Sequence, residues 1–262
     1  MTGRRRPSLL AMITAIYLTW SLLPLVLAVR VALSEGDSVS SPHGFTLDTV
    51  RLALARPTFR EILQRSLVLA ASVAAVATPI GAGMALGLHH WRGPASRTLT
   101  ALTVVAVVTP QAAFGVATFY AYVYLLHVRL QVPAIFLAHV TVAIPFVVLV
   151  VRARLLGLPF EAEEAALDLG ATPVSMVRRV LLPLSVPALI ASAAIAFTLS
   201  FDNIVLSNWL CIGNDCRTLP GLLTGRMGAT PDLYAIGTIG VAVTLCMMTV
   251  VLLVLAVIRR QS

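Results

Sequence analysis

The sequence predicts an all-α, polytopic membrane protein with about six transmembrane helices, and two observations carry that prediction. Of 262 residues, 58% are hydrophobic and only 11% are charged, which leaves too little polar surface to cover a water-soluble globule of this size. The apolar residues also gather in six long runs, each near the roughly 20 residues that a spanning helix needs.

Those runs cover residues 9–33, 62–88, 99–126, 132–151, 184–206 and 233–257. The first holds Arg30 near its outer end, where a guanidinium can snorkel to the headgroups. Pro24, Pro79, Pro110 and Pro145 fall within the first four, read either as kinks along a pathway or as ordinary packing bends. Gly81, Gly83 and Gly87 stand in an apolar helical stretch and not after a strand, so they predict close helix packing rather than a nucleotide loop. His139 lies mid-span in the fourth run and is read as bonded to a neighbouring carbonyl, with a polar passage residue as the alternative; no metal-ligand spacing surrounds it. The fifth run has Pro187 near its start and Asp202 and Asn203 near its end, and Asp202 is the only acid in the six. Cys246, in the sixth, reads as a small buried hydrophobe.

All 19 basic residues are arginine and the formal charge is +8, which in a membrane protein bears on topology rather than on nucleic acid. Arg4, Arg5 and Arg6 precede the first run and favour a cytoplasmic N-terminus. Six spans return Arg259 and Arg260 to the same side, giving a cytoplasmic 1–8, a membrane domain at 9–258 and a cytoplasmic 259–262. Arg92, Arg97, Arg152, Arg154, Arg178 and Arg179 then also fall inside, whereas Arg51, Arg56, Arg60 and Arg65 fall outside. The first apolar run is longer than the roughly 7–15 residues of a signal-peptide core, so it reads as a retained helix.

Between the first two spans, Gly44-Phe45-Thr46-Leu47 leads into an amphipathic stretch at 50–63, expected to lie along the outer membrane surface. Cys211 and Cys216 lie between spans five and six, on the periplasmic side of this topology, and are candidates for a local disulfide if their geometry suits one.

The connector between spans four and five is the least hydrophobic inner segment. Pro159 suits a first helical position, Glu161, Glu163 and Glu164 crowd the positive end of the helix dipole, and Gly170 permits a left-handed stop. Ala165, Ala166 and Leu169 then offer a shallow apolar surface beside acids, which is the character of a docking surface. Leu182-Pro183 opens the next span.

Glu164-Ala165-Ala166, three residues, Gly170, nine residues, then Val180-Leu181-Leu182-Pro183 resembles the hallmark of type I ATP-binding-cassette importer permease subunits: E-A-A, three residues, G, nine residues, I-x-L-P. Val180 is the one departure, and Val177 stands where many relatives carry an aromatic. The resemblance implies a coupling helix and loop over about 159–183. In it Glu161, Glu163, Glu164, Ala165, Ala166, Asp168, Leu169 and Gly170, with Pro183, would seat on a cytosolic ATPase dimer. It implies a bacterial inner-membrane subunit paired with a second permease and served by a periplasmic or lipid-anchored solute-binding protein, with lipid around it and no nucleic acid. The chain would be no enzyme and hold no cofactor. ATP and magnesium would belong to the partner ATPase, since no G-x-x-x-x-G-K-[ST] run occurs here.

Within that family the chain looks most like the second permease subunit of spermidine/putrescine importers. The likeness is carried by Ala138-His139-Val140 through Pro145-Phe146, by 163–183, by Ala196 through Asn203, and by Thr218-Leu219-Pro220 and 226–231. A polyamine cargo is thereby implied, with Asp202 and Asn203 offering acceptors to an ammonium group. Relatives often carry Asp where Asn203 stands, and the alternative role for Asp202 is to cap a helix break or pair with an arginine. Other cargoes within the family are aminophosphonates, thiamine, iron(III) and oxyanions. A secondary transporter, the more distant reading, has no use for an ATPase-docking helix. A membrane-embedded enzyme would need paired His, Cys or carboxylates that no span offers.

Overall fold

The computed structural model describes residues 9–35, 43–91, 93–224 and 230–261. Arg4 to Arg6, Arg92 and the 226–229 stretch lie outside the described residues, as do the side chains of Arg259 and Arg260. The chain divides into two compact units, one holding the described residues of Met1–Arg60 and Leu223–Val243, the other those of Glu61–Leu222 and Thr244–Ser262.

In the first unit, helix α1 (Leu9–Ala32) buries Val31 and Ala32 and exposes most of the rest, as a helix that is apolar all round does when lipid is its solvent. The chain then turns through a short antiparallel bridge in which Glu35 N–H donates to the His43 carbonyl at 2.8 Å. Gly44 has φ +64°, a left-handed conformation that favours glycine, and the Glu35 carboxyl group would have to shift to admit a Cβ there. Helix α2 (Asp48–Ala55) begins where the Thr46 hydroxyl accepts from Asp48 N–H at 3.1 Å. The amphipathic helix expected at 50–63 is in fact two helices. Arg56 is extended at ψ 120°, because the ring of Pro57 disfavours helix in the residue before it, and Pro57 then opens α3 (Pro57–His90).

In the second unit α3 runs on for 34 residues in all, a rod of about 51 Å. The third apolar run is not one helix. It forms α4 (Pro94–Val108) and α5 (Gln111–Tyr120), the latter continued by a π turn (Ala121–Leu125), bent by 103° at the junction. Pro110 has no N–H to continue the ladder, and Thr109 before it is extended at ψ 127°. Helix α6 (Val132–Leu156) is the centre of the unit, burying Ile135, His139, Val147, Val151 and Leu155. At Gly81 a Cβ would lie 2.7 Å from Val147, so α3 approaches α6 there as small-residue packing predicts; Gly83 and Gly87 face open space and do not contribute.

After α6 come α7 (Phe160–Asp168), a short α8 (Pro173–Met176), a π turn (Val177–Leu181), α9 (Leu182–Phe201), α10 (Ile204–Leu210) and α11 (Leu219–Thr224). Pro183 cannot donate, and the wide turn before it bonds Leu182 N–H to the Val177 carbonyl instead. α9 packs along α6, and Arg154 Nε donates to the Leu184 carbonyl at 3.1 Å. The fifth run, expected at 184–206, is broken at Asp202-Asn203. Beyond both breaks the short halves meet: a Cβ on Gly115 of α5 would lie 3.2 Å from Trp209 and 3.3 Å from Val205 of α10, and the Phe119 and Trp209 rings are 5.9 Å apart. The last helix, α12 (Pro231–Gln261), is long and apolar. Cys246 is exposed on it rather than buried, because this stretch presents its apolar surface outward, where lipid is the solvent. Among the described residues five helices are long and apolar enough to span, and there are six if the bent α4–α5 pair is one span.

Candidate coupling segment and broken helix

The segment between α6 and α9 follows from local chemistry. Pro159 is extended at ψ 129° and caps α7 rather than beginning it; Glu161 and Glu163 fall in the first turn. At the other end Gly170 has φ +78°, with Gly170 N–H bonded to Leu167 O at 2.8 Å and Ala171 N–H to Ala166 O at 3.0 Å. These two bonds close the last turn as a left-handed glycine stop does. No atom crowds a Cβ at Gly170, so conformation alone demands glycine there. Thr172 then caps α8, its hydroxyl accepting from Ser175 N–H at 3.3 Å, with Pro173 as first helical residue.

The two faces of α7 differ. Glu161, Glu164, Ala165 and Asp168 are exposed, as are Leu167 and, just past the helix, Leu169 at 89%. Ala162, Glu163 and Ala166 are half-buried. Of the residues expected to dock, Glu163 therefore points inward: its Oε1 lies 2.8 Å from His89 Nε2 at the end of α3, with the two side chains only 14% and 15% exposed. A carboxylate can only accept, so Nε2–H donates. Residues 74 apart share no local signal, and sequence reasoning missed His89 for that reason. Beside α7, the residues His90, Pro173, Val174, Val177, Arg178 and Leu182 line a mostly apolar groove of about 520 Å³. Pro183 is exposed in the first turn of α9.

At the broken helix Asp202 and Asn203 do different things. Asp202 ends α9 and is exposed. Asn203 is buried, and its Oδ1 accepts from Leu206 N–H at 2.9 Å, capping α10. His139, expected on a carbonyl, instead lies between two hydroxyls that flank the break, with Nδ1 2.9 Å from Ser200 Oγ and Nε2 3.4 Å from Ser207 Oγ. A neutral imidazole supplies one donor and one acceptor, which suits two hydroxyls.

Past α10, Cys211 and Cys216 are joined by a disulfide with Cα atoms 5.4 Å apart. The loop is held to the first turns of α3: Ser66 Oγ accepts from Leu219 N–H at 2.7 Å, and Arg65 donates to the Arg217 carbonyl at 3.2 Å. α3 thus carries a tie near each end.

Residues 77–262 match the model of a family described as binding-protein-dependent transport system inner membrane component. Among curated relatives, the spermidine/putrescine transport system permease protein PotC of Escherichia coli K12 is 28% identical over 236 residues, covering 89% of this chain and 88% of that one. The putrescine transport system permease protein PotI of the same organism is 34% identical over 178 residues, covering 65% and 62%. The trehalose transport system permease protein SugB of Mycobacterium tuberculosis is 23% identical, covering 98% and 95%. Among solved structures, a chain of a bacterial ABC transporter that imports the acidic polysaccharide alginate superposes with a TM-score of 0.73 at 15% identity, covering 96% and 95%. A chain of the inward-facing MetNI methionine ABC transporter gives 0.63 at 18%, covering 77% and 98%. Broken spans, an exposed acidic helix with its glycine stop, and a family match over most of the chain agree: this protein belongs to the binding-protein-dependent transport system inner membrane components, as a multi-pass permease subunit of an ABC importer.

Proposed function

We propose that the chain is one of two permeases in a polyamine importer, that α7 is its coupling helix on a cytosolic ATPase dimer, and that Asp202 lines the cargo path. The observation that carries the docking role is the placement of the hallmark residues: Glu164 and Ala165 lie on the exposed face of a short helix ended by Gly170. Glu161, Glu164 and Asp168 offer partners for basic groups, and Leu167 and Leu169 add apolar contact. Polyamine cargo is supported by the names of the relatives that match at 28% and 34%. The trehalose relative suggests a neutral sugar instead, but an exposed carboxylate at the break suits an ammonium better than a sugar.

The disulfide supports the orientation. α9, with 20 residues and about 30 Å, separates Cys211 and Cys216 from α7. Disulfides persist on the oxidising side, which supports a periplasmic loop and a cytoplasmic α7, and the arginines before the first span support a cytoplasmic N-terminus. A solute-binding protein would deliver cargo on the loop side, and ATP with magnesium would act in the partner ATPase.

The test is uptake of labelled spermidine into proteoliposomes holding the complete complex and internal ATP. Saturable, ATP-dependent uptake is expected, and Asp202→Ala should lower it by about tenfold or more, the value of a hydrogen bond to a charged group. Glu164→Arg should leave the protein in the membrane and remove ATP-driven uptake. An ATPase-active complex that takes up no polyamine would retain the importer and discard the cargo.

A further inference from the structure

We infer that His89 is a positioning residue for energy coupling: its bond to Glu163 sets the rotation of α7 and makes α3 the rod that carries the movement of α7 to the disulfide-bonded loop. The inference rests on α7 being the coupling helix. It assigns Glu163 to holding that helix rather than to the ATPase.

Helix α7 has nine residues, too few to hold a fixed attitude by itself, and it lies between the extended Pro159 and the left-handed Gly170, either of which can serve as a pivot. Among the described side chains of its inner face, Ala162 and Ala166 supply small apolar contacts, which fix rotation weakly. The directional contact is Glu163 with His89 at 2.8 Å, on side chains removed from most of the solvent that screens surface pairs. It holds Glu163 inward, and a helix with Glu163 inward must present Glu161, Glu164 and Asp168 outward. His89 lies in the last turn of α3, so the pair anchors α7 to the end of a rod and not to a loop. From His89 to Ser66 is 23 residues, about 35 Å of helix that runs through Pro79 without a break in its assignment. At that end Ser66 and Arg65 grip the backbone at Leu219 and Arg217, beside the loop closed by Cys211 and Cys216. Packed secondary elements with ties at both ends are the physical means by which displacement at one site reaches another.

The experiment uses the complete complex in nanodiscs and reads ATP hydrolysis with and without cargo-loaded binding protein, together with the amount of ATPase retained on the complex. His89→Ala and Glu163→Ala should each keep the ATPase bound but lower the stimulation ratio on the order of fivefold or more, the lower end of typical coupling strengths. The double variant should be no worse than either single one, since both remove the same bond. His89→Gln, whose carboxamide N–H can still donate to Glu163, should keep most of the stimulation. Wild-type stimulation in both single variants, additive losses in the double, or loss of the ATPase from His89→Ala would each overturn the inference. Glu164→Arg separates it from the reading beneath: normal stimulation in that variant brings down the docking role itself. Stimulation lost in Glu164→Arg yet intact in His89→Ala brings down only the rod.

Discussion

Two spans of this protein are broken, and they are broken by different means. Between α4 and α5 the cause lies in the backbone: Pro110 lacks a donor and Thr109 is extended. Between α9 and α10 nothing in 200–206 forbids a continuous helix, and the break is held by the Asn203 side chain on Leu206 N–H with His139 bonded to serines on either side. The first break has a local covalent cause and is further held by the packing of α5 on α10, whereas the second is an equilibrium in which side-chain bonds compete with one more turn of helix. Asp202 sits at the second. If Asp202 lines the path as proposed, its carboxylate stands at the break that side-chain bonds alone can release.

The largest loss is expected where the two short helices meet. Gly115→Leu would drive a branched side chain into Trp209 and Val205, which already stand 3.2 and 3.3 Å from a bare Cβ. Overpacking of this kind should lower stability by about 3 kcal/mol, the upper end of its usual range. Thermal unfolding of the purified protein measures the loss, and a shift in Trp209 emission, read with Trp20 and Trp91 replaced by Phe, locates it. Unchanged melting would mean that α5 and α10 are free to part. Asn203→Ala comes next: it removes the cap and leaves the Leu206 N–H buried without a partner, at about 2 kcal/mol. Asn203→Ser keeps an acceptor and should recover most of that. Equal melting of the two variants would show that His139 alone holds the break.

What could be read in the sequence was what is local. The segment at 159–183 was legible because Pro159, Gly170 and Pro183 act within a few residues of themselves. Six apolar runs were legible because lipid imposes length and composition. The break at Pro57 was equally local, yet amphipathic spacing across 50–63 outweighed the rule on residues before proline. Asn203 differs: in an apolar run an amide reads as part of a passage, and only the 2.9 Å contact to Leu206 shows that its oxygen also serves the backbone. The size of the bend at Pro110, the partners of His139 and the inward turn of Glu163 all depend on residues more than 60 positions away, which no spacing encodes.

Pro110→Ala should have the smallest effect of the three substitutions and bears most directly on what fixes a break. Restoring an N–H removes the local cause of the bend, so a helix governed by its own sequence would straighten. α5, however, is held by Gly115 against α10 and by the Phe119 and Trp209 rings, and a straightened α4–α5 would forfeit both contacts. The bend should therefore persist, with stability lower by at most about 1 kcal/mol as the unfolded chain gains freedom. Spin labels at the exposed Leu102 and Val116 report the angle as a distance. A lengthening toward the value for one continuous helix would show that the proline makes this break by itself, and the two breaks would then differ even more in kind than their geometry suggests.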